Sequence, residues 1–200
     1  MEASTQPGER PLLQVFIVSV RDERKGVLVG DWFIGEAEKH GGFDVERIDL
    51  AEVDLPLFDE PRHPRLGQYE HEHTRAWSRS VDRADAYVFV TPEYDYGAPA
   101  PLVNALQYLV HEWAYKPVGF CSYGGVSGGT RGVQMTKQIA TTLKLVPMFE
   151  AVSIPFFTEK IDAESGRFDP GQVQEKAAAV MLDEMVRWEG ALRTLRSQKR

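Results

Sequence analysis

A nearly continuous run of apolar residues, Leu12–Val20, sets the strongest constraint on the fold of this chain. A strand that is apolar on both sides has to be covered on both faces, as a central strand of a parallel sheet is. Further strand patterns recur at Val45–Leu50, Ala86–Val90, Lys116–Ser122 and within Met148–Ile154. We therefore expect a five-stranded parallel sheet with helices on both faces.

Helical periodicity fills the intervals between these strands. Helices are predicted over about Gly26–His40, Glu70–Arg83, Pro101–Val110, Arg131–Leu143 and Gly171–Leu195. The last helix is expected to bury Val173, Ala177, Val180, Met181, Met185, Trp188 and Leu192. A loop rich in proline and charge, Asp54–Gln68, separates the second strand from its helix. The alternation predicts one α/β domain over residues 1–200, with residues 1–10 as a disordered tail.

Composition excludes several classes of protein. The net charge of −7 argues against binding of nucleic acid, and the basic segment Arg193–Arg200 is interpreted as a solvated helix end. A single cysteine, Cys121, permits no intrachain disulfide, and the polar first ten residues do not resemble a signal peptide. We expect a soluble cytoplasmic protein with no membrane segment. His71 and His73 are expected on different faces of a helix, so no metal site is predicted.

The first of three candidate binding loops, residues 19–26, follows the first strand. It offers the hydroxyl group of Ser19 and the cationic side chains of Arg21, Arg24 and Lys25. The first helix begins at Gly26, so its free N–H groups and positive dipole end lie in the same place. This combination favours a phosphate site, although the cations could equally be solvated beside their neighbouring carboxylates. The loop lacks the Gly and Lys-Ser/Thr arrangement that binds nucleoside triphosphates.

The second loop follows Ala86–Val90 and reads Thr-Pro-Glu-Tyr-Asp-Tyr-Gly over residues 91–97. Tyr94 or Tyr96 could pack on a flat ring, or both could be ordinary core or interface residues. Glu93 has no carboxylate or histidine nearby in sequence, so we interpret its side chain as structural. Aromatic faces and backbone groups without an acid–base pair are typical of a seat for a flat cofactor.

The third loop, Ser122–Thr130, contains two Gly-Gly pairs, which permit close backbone approach and positive φ angles. Its spacing is not Gly-x-Gly-x-x-Gly and it follows the fourth strand, so it is not a dinucleotide fingerprint. The three loops can meet if their strands are neighbours. This happens in the strand order 2-1-3-4-5, where flavin mononucleotide (FMN) binds at the switch point of flavodoxin-like sheets.

The segment Thr91–Gly97, followed by Pro101-Leu-Val-Asn-Ala105, resembles the NADPH-dependent FMN reductase family. Members of that family carry T-P-E-Y-N, then a Gly/Pro pair and L-K-N-A. The run from Lys116 to Gly125 and the residues Arg131, Leu143 and Pro147 are also similar to the family, so that the resemblance covers roughly residues 12–155. It implies a flavodoxin-like three-layer α/β/α sandwich with a five-stranded parallel sheet in the order 2-1-3-4-5.

The resemblance also implies a set of contacts with FMN. The residues that would hold its phosphate are Ser19, Arg21, Arg24, Lys25 and Gly26. Those that would contact the isoalloxazine ring are Pro92, Glu93, Tyr94 and Asp95. Those that would border its pyrimidine edge are Ser122, Tyr123, Gly124 and Gly125.

Three positions depart from the family pattern. Val18 stands where the family has a glycine, Asp95 replaces the usual Asn or His, and Val103 replaces a lysine. A carboxylate near the flavin disfavours its anionic reduced form, so Asp95 bears on the redox potential.

The activity that the resemblance implies is that of an FMN-dependent oxidoreductase. NADPH or NADH would give hydride to bound FMN, and the electrons would pass to a quinone, an azo compound, a metal oxyanion or free flavin. A homodimer or homotetramer is implied as well, with Trp113–Tyr115 and Asp54–Gln68 as expected interface segments. The alternative is a flavodoxin-like electron carrier or flavin-binding sensor without NAD(P)H turnover, which the basic first loop disfavours.

Overall fold

The computed structural model describes residues 10–198 and contains one parallel sheet with helices on both faces. Its strands are β1 (Leu12–Ile17), β2 (Asp44–Asp49), β3 (Ala86–Pro92), β4 (Pro117–Tyr123) and β5 (Val146–Ile154). They lie in the order β2-β1-β3-β4-β5, and every neighbouring pair is parallel. The predicted flavodoxin-like α/β fold and its strand order are confirmed. The predicted tail lies outside the described residues except for Arg10, which pairs with Asp44 at 2.7 Å.

Six α-helices connect or follow the strands. They are α1 (Gly26–His40), α2 (Leu50–Val53), α3 (Glu72–Asp82), α4 (Ala100–Gln107), α5 (Thr130–Thr142) and α6 (Gln172–Ser197). Short 3-10 turns lie at Pro64–Leu66, within the long loop, and at Phe157–Lys160. Among the described helices, none has the length and apolar character that crossing a membrane requires.

The sheet separates two apolar layers because successive side chains of each strand point to opposite faces. Val15 and Val88 face the layer under α1 and α6, whereas Phe16 and Phe89 face the layer under α3, α4 and α5. Phe16 lies at the centre of an aromatic cluster that includes Trp113, at a ring distance of 6.2 Å. Trp113 has no exposed surface, so its side chain cannot contact a partner, whereas Ala114 and Tyr115 are partly exposed and the interface prediction for their segment stays a prediction.

Most element boundaries agree with the sequence pattern, and β1 and α4 end earlier than predicted. Helix α1 spans the predicted residues and ends at Gly41, which has a φ of +73°. Strand β1 ends at Ile17, before the predicted Val20, although the N–H of Val18 still donates to the carbonyl of Val90. Helix α4 ends at Gln107, before the predicted Val110.

The histidines were also placed wrongly. His71 is the N-cap of α3 and therefore lies outside the helix, and its ring stacks on that of His73 at 5.1 Å. Within residues 10–198, no three His, Cys, Asp or Glu side chains form a group that could hold a metal ion.

The last helix differs most from its prediction. Met181, Met185 and Leu192 are buried as expected, and Ala177 is partly buried, but Val173, Val180 and Trp188 are exposed. Helix α6 covers β4 and β5 at one side of the sheet, so only one narrow face of it meets the core.

The basic end of α6 is not simply solvated. Arg196 donates to Asp85 Oδ1 at 3.0 Å and to the carbonyl of Tyr115 at 3.0 Å, and Arg193 pairs with Glu189. This anchors the end of α6 to the amino edge of the sheet.

Candidate cofactor-binding site

The first and second loops touch through one hydrogen bond. The hydroxyl groups of Ser19 and Tyr94 lie 2.9 Å apart, and Ser19 is buried. The guanidinium carbon of Arg21 lies 5.9 Å from the centre of the Tyr94 ring. The structure therefore brings together residues that are 75 positions apart in the chain.

The amino end of α1 is open to an anion. Its N-cap, Lys25, makes no side-chain capping hydrogen bond, and its first turn holds no acidic residue. A Cβ at position 26 would lie 2.1 Å from the hydroxyl oxygen of Tyr123, so only glycine fits there. Free N–H groups and the positive end of the helix dipole therefore lie where the first and third loops meet.

Arg24 is held by a carboxylate that we did not predict. Its Nη2 donates to Asp49 Oδ2 at 2.6 Å, and Arg47 donates to the same oxygen at 2.9 Å. Asp49 is buried and accepts from both guanidinium groups. The Nε of Arg24 is also buried, but it has no partner within the described residues. A buried, unpaired donor is costly, so an acceptor such as a phosphate oxygen would satisfy it. The sequence feature that could have identified Asp49 as a site residue is its place at the carboxyl end of β2.

The second loop is a tight turn from Tyr94 to Gly97. The N–H of Gly97 donates to the carbonyl of Tyr94 at 2.7 Å, and the N–H of Tyr94 donates back at 3.3 Å. Asp95 and Tyr96 have positive φ angles, +49° and +68°, which is the pattern of a type I′ turn. Asp and Asn both tolerate this conformation, so Asp95 meets the backbone requirement of the position.

The carboxylate of Glu93 connects the second loop to helix α5. It accepts from the N–H groups of Arg131 at 2.9 Å and Gly132 at 3.3 Å, and it pairs with Arg131 Nε at 2.9 Å. The guanidinium of Arg131 also lies 3.9 Å from the ring centre of Tyr96, which is 70% exposed. Glu93 therefore has a structural role, as interpreted from sequence, whereas the double role of Arg131 was missed.

The third loop uses its two glycine pairs differently. Gly128 and Gly129 have φ angles of +58° and +83°, and a Cβ on Gly129 would lie 2.9 Å from Ser122 Cβ. The carbonyls of Gly124 and Gly125 instead accept from the N–H groups of Phe157 and Phe156. The space beside Gly125 is open, so its backbone is accessible to a ligand.

Tyr123 lies beneath the loops rather than on their surface. Its ring is 4.8 Å from that of Phe157 and is almost completely buried. Burial raises the pKa of its hydroxyl group above the usual range, so the group stays protonated. Its hydroxyl oxygen borders Gly26 at the amino end of α1.

The remaining predicted residues lie around this centre. Lys25 and Asp95 are exposed, whereas Pro92 and Ser122 are buried at the ends of β3 and β4. Cys121 is buried just below, and burial raises the pKa of its thiol, so it behaves as a small apolar residue.

The donors present fit a phosphate-bearing flat cofactor. An uncapped helix terminus, an unpaired Arg24 Nε and the hydroxyl group of Ser19 lie on one side, and a turn with an exposed tyrosine and an open glycine backbone lies on the other. The pair of groups that acid–base catalysis needs is missing among the described residues of the loops, because Glu93 is engaged with α5.

Comparisons with known proteins agree with this assignment. The sequence profile of the NADPH-dependent FMN reductase family matches residues 12–159. An NAD(P)H-dependent FMN reductase of Schizosaccharomyces pombe is 40% identical over 149 residues, covering 72% of this chain and 74% of the relative. An NADPH:quinone oxidoreductase of Arabidopsis thaliana is 32% identical over 151 residues, covering 70% and 72%.

A solved structure shows the same fold. The flavoenzyme NAD(P)H:(acceptor) oxidoreductase FerB of Paracoccus denitrificans superposes with a TM-score of 0.70 at 20% identity, covering 90% of this chain and 98% of that one. The family profile and the curated relatives together establish that this chain belongs to the NADPH-dependent FMN reductase family, a flavoprotein oxidoreductase that uses FMN and NAD(P)H.

Proposed function

We propose that the three loops hold FMN and that the chain transfers hydride from NADPH or NADH, through FMN, to a small acceptor. The observation that carries the proposal is the uncapped amino end of α1 beside the unpaired Nε of Arg24. FMN, when bound, supplies the chemistry of accepting hydride from the nicotinamide and donating electrons onward. The chain supplies binding, orientation and electrostatic tuning.

Each loop would have a distinct role in binding FMN. Ser19, Arg24 and the N–H groups at Gly26 would bind the phosphate, with Asp49 fixing the direction of the Arg24 guanidinium. The turn at Tyr94 would position the ring, and its geometry is held by the link between Glu93 and Arg131. The exposed backbone at Gly125 would direct its N–H group at negative charge that develops on the ring.

For the acceptor we propose a quinone-like flat molecule. The relatives include proteins named as NADPH:quinone oxidoreductases, which supports this class. Three exposed apolar side chains, Tyr96, Val126 and Phe156, surround the loops and offer a platform for a planar apolar molecule. Azo compounds, metal oxyanions and free flavin are further acceptors to compare.

We also propose a homodimer that uses the long loop before α3. Leu57 and Leu66 on this loop are 83% and 60% exposed. The loop is nevertheless well ordered by Asn104, whose amide donates to the carbonyl of Pro56 at 2.7 Å and accepts from the N–H of Phe58 at 2.9 Å. Exposed apolar groups on a fixed loop favour a partner surface. A cytoplasmic location is inferred because the single cysteine permits no intrachain disulfide.

The decisive experiment is an anaerobic absorption spectrum of the purified protein with FMN, before and after NADPH. We expect flavin bands that bleach with NADPH and return when a quinone is added. Bound flavin that NADPH does not bleach would instead support an electron carrier or sensor. Failure to bind FMN at excess would overturn the three-loop site.

The phosphate assignment has its own matched pair of variants. Arg24→Met should weaken FMN binding at least about 10-fold while leaving riboflavin, which lacks the phosphate, unchanged, since a charged hydrogen bond contributes about 1.5–3 kcal/mol. Arg47→Met removes the other guanidinium on Asp49 and should leave FMN affinity close to wild type. Equal losses for FMN and riboflavin in Arg24→Met would assign Arg24 to folding only.

A further inference from the structure

Met135, on helix α5, differs from the other methionines of the described residues in its exposure. Its side chain is 48% exposed, whereas Met148, Met181 and Met185 are buried in the core. A thioether that solvent can reach is open to oxidation to a sulfoxide, which turns a flexible apolar side chain into a polar one. What such a change would do depends on what the sulfur touches.

The sulfur atom of Met135 contacts the second loop just after its turn. The N–H of Ala98 donates to Sδ at 3.4 Å, and Sδ lies 3.7 Å from the Cβ position of Gly97. One turn earlier on α5, Gly132 lies against the same loop, because a Cβ there would come within 2.9 Å of the carbonyl oxygen of Gly97. Met135 therefore continues the face of α5 that holds the loop.

The second loop is thus fastened to α5 on both sides of its turn. Before the turn, the carboxylate of Glu93 accepts from N–H groups at the start of α5. After the turn, Met135 accepts from Ala98. The first contact is charged and an oxidant does not change it. The second is a hydrogen bond to a thioether, a weak acceptor whose chemistry an oxidant does change.

We propose that Met135 is a modification site at which hydrogen peroxide forms a sulfoxide, and that this sulfoxide loosens the second loop from α5. The O–O bond of the peroxide breaks, one oxygen bonds to Sδ, and the other leaves as water with both hydrogens. The sulfur loses two electrons and the peroxide gains them. Methionine sulfoxide reductases reverse the oxidation, so the modification can be removed.

The new oxygen removes the contact with Ala98. One lone pair of Sδ faces the Ala98 N–H, and this contact is exposed to solvent, so the oxygen adds to the other lone pair. A sulfoxide sulfur is a poor acceptor, and its polar oxygen draws the side chain toward water. An oxygen placed between Sδ and the nitrogen does not fit, because 3.4 Å cannot hold an S–O bond and an O···N hydrogen bond of about 2.7–3.2 Å in line.

A looser second loop would bind FMN less tightly, a consequence that rests on the proposed function. Tyr94 and Asp95 in the turn are candidate contacts of the flavin ring, and Ala98 leads from the turn into α4. Peroxide also arises where flavins work, because a reduced flavin that meets dioxygen passes two electrons and two protons to it. The modification would therefore lower the flavin occupancy of the protein when peroxide accumulates.

The first test identifies the oxidised residue in flavin-free protein. After mild peroxide treatment, peptide mass spectrometry should show an added oxygen on Met135 and none on Met148, Met181 or Met185, while circular dichroism shows that the chain stays folded. One of the two sulfoxide reductases, each specific for one epimer, should remove nearly all of it, because one lone pair is blocked. An unmodified Met135, or equal repair by both enzymes, would overturn the proposal.

The second test follows the loop itself, again without flavin. Oxidation should move the backbone amide signals of Gly97 and Ala98 in an NMR spectrum, because the hydrogen bond to Sδ is lost. Met135→Leu cannot form a sulfoxide, so the same two signals in that variant should not respond to peroxide. Signals that stay in place in oxidised wild type would contradict the loosening of the loop.

The third test measures FMN affinity after the peroxide has been removed. Oxidised wild type should bind FMN about 3-fold more weakly than untreated protein, as expected for the loss of one hydrogen bond. Met135→Leu lacks the acceptor, so it should bind FMN as weakly as oxidised wild type and should not respond to peroxide. Met148→Leu, a similar exchange at a buried position, should keep the wild-type response.

The outcomes of the third test separate this inference from the proposed function. Untreated protein that binds no FMN would refute the proposed function, and the first two tests would then decide the modification and the loosening without flavin. Untreated protein that binds FMN, with an affinity that oxidation of Met135 leaves unaltered, would overturn the inference and leave the proposed function standing.

Discussion

Gly26 illustrates how a missing side chain shapes the candidate site. A Cβ there would lie 2.1 Å from the hydroxyl oxygen and 3.0 Å from Cζ of Tyr123, so Gly26→Ala must displace either the ring or the start of α1. We expect a loss of about 1–3 kcal/mol in the free energy of unfolding and weaker FMN binding. Urea denaturation and a flavin fluorescence titration measure the two effects.

The control for Gly26→Ala is available in the same helix. Gly35 is exposed and has no atom near its Cβ position, so Gly35→Ala should stabilise the protein by up to about 1 kcal/mol. Combining Gly26→Ala with Tyr123→Phe should recover part of the loss, because the hydroxyl group is the closest atom. No recovery would show that the clash with Tyr123 is not the cause.

At individual residues, the sequence predicted chemistry better than partners. Arg24 was predicted as a phosphate-binding cation of the first loop, and its carboxylate partner, Asp49, was not foreseen. The pairing depends on how far β2 extends beside β1, and the register of parallel strands is not written in the local sequence. The FMN contacts of the thirteen candidate residues remain predictions.

Among the elements, α5 depends most directly on a side chain from another loop. Its amino end has no capping side chain of its own, and the carboxylate of Glu93 accepts from two of its N–H groups. Glu93→Gln should therefore lower the free energy of unfolding by about 1–2 kcal/mol, because it removes the charge but keeps one acceptor. Glu93→Ala should cost more.

Chemical denaturation of these variants has a simple reference. Glu38→Gln changes an exposed residue of α1 and should alter stability by less than about 0.5 kcal/mol. Should Glu93→Gln behave like Glu38→Gln, the contact with α5 contributes nothing measurable to the fold.

Element positions were predictable where apolar periodicity had one interpretation. Helix α1 matched its predicted bounds because Gly41 ends it with a positive φ. Helix α6 did not match in its burial pattern, because it carries two adjacent apolar rows and periodicity cannot tell which of them meets the sheet. The exposed row became visible only when the place of α6 over β4 and β5 was known.

Lys116 connects the stability of the whole molecule to pH. Burial lowers its pKa to about 8, although its ammonium group donates to the carbonyls of Val81 and Asp82 and to the hydroxyl group of Tyr87. Between pH 8 and 10 the unfolded chain keeps a proton that the folded chain has released. Raising the pH therefore favours the folded state, and the stabilisation is lost as the pH falls through 8.

This linkage predicts that the free energy of unfolding changes with pH differently in the wild type and in the Lys116→Met variant. Between pH 8 and 9.5, Lys116 should add about 2 kcal/mol to the free energy of unfolding, and Lys116→Met should lack that increase. The range stops below pH 10 because burial raises the pKa of Tyr87 well above its usual value, which opposes the trend at higher pH. Urea denaturation at pH 8 and at pH 9.5 measures this increase, with Lys176→Met as the control at an exposed lysine. Parallel pH profiles of wild type and Lys116→Met would refute the linkage.

The order of the whole sheet followed from the resemblance rather than from periodicity. Apolar runs predicted five parallel strands. Their order, 2-1-3-4-5, was inferred because the loop at Thr91–Gly97 resembles a family whose members have that order. Residues as far apart as Ser19 and Tyr94 could be expected to meet only after this order was assumed.

The position of α6 over β4 and β5 has a consequence for biosynthesis. All five strands leave the ribosome before α6 does, yet Met148 and Val152 are covered by Met181, Met185 and their neighbours in that helix. A nascent chain can therefore pair its strands while the face of β4 and β5 that α6 covers is still exposed to water. Until the last turns of α6 have been translated, that bare face is the part of the molecule most open to chaperones and to aggregation.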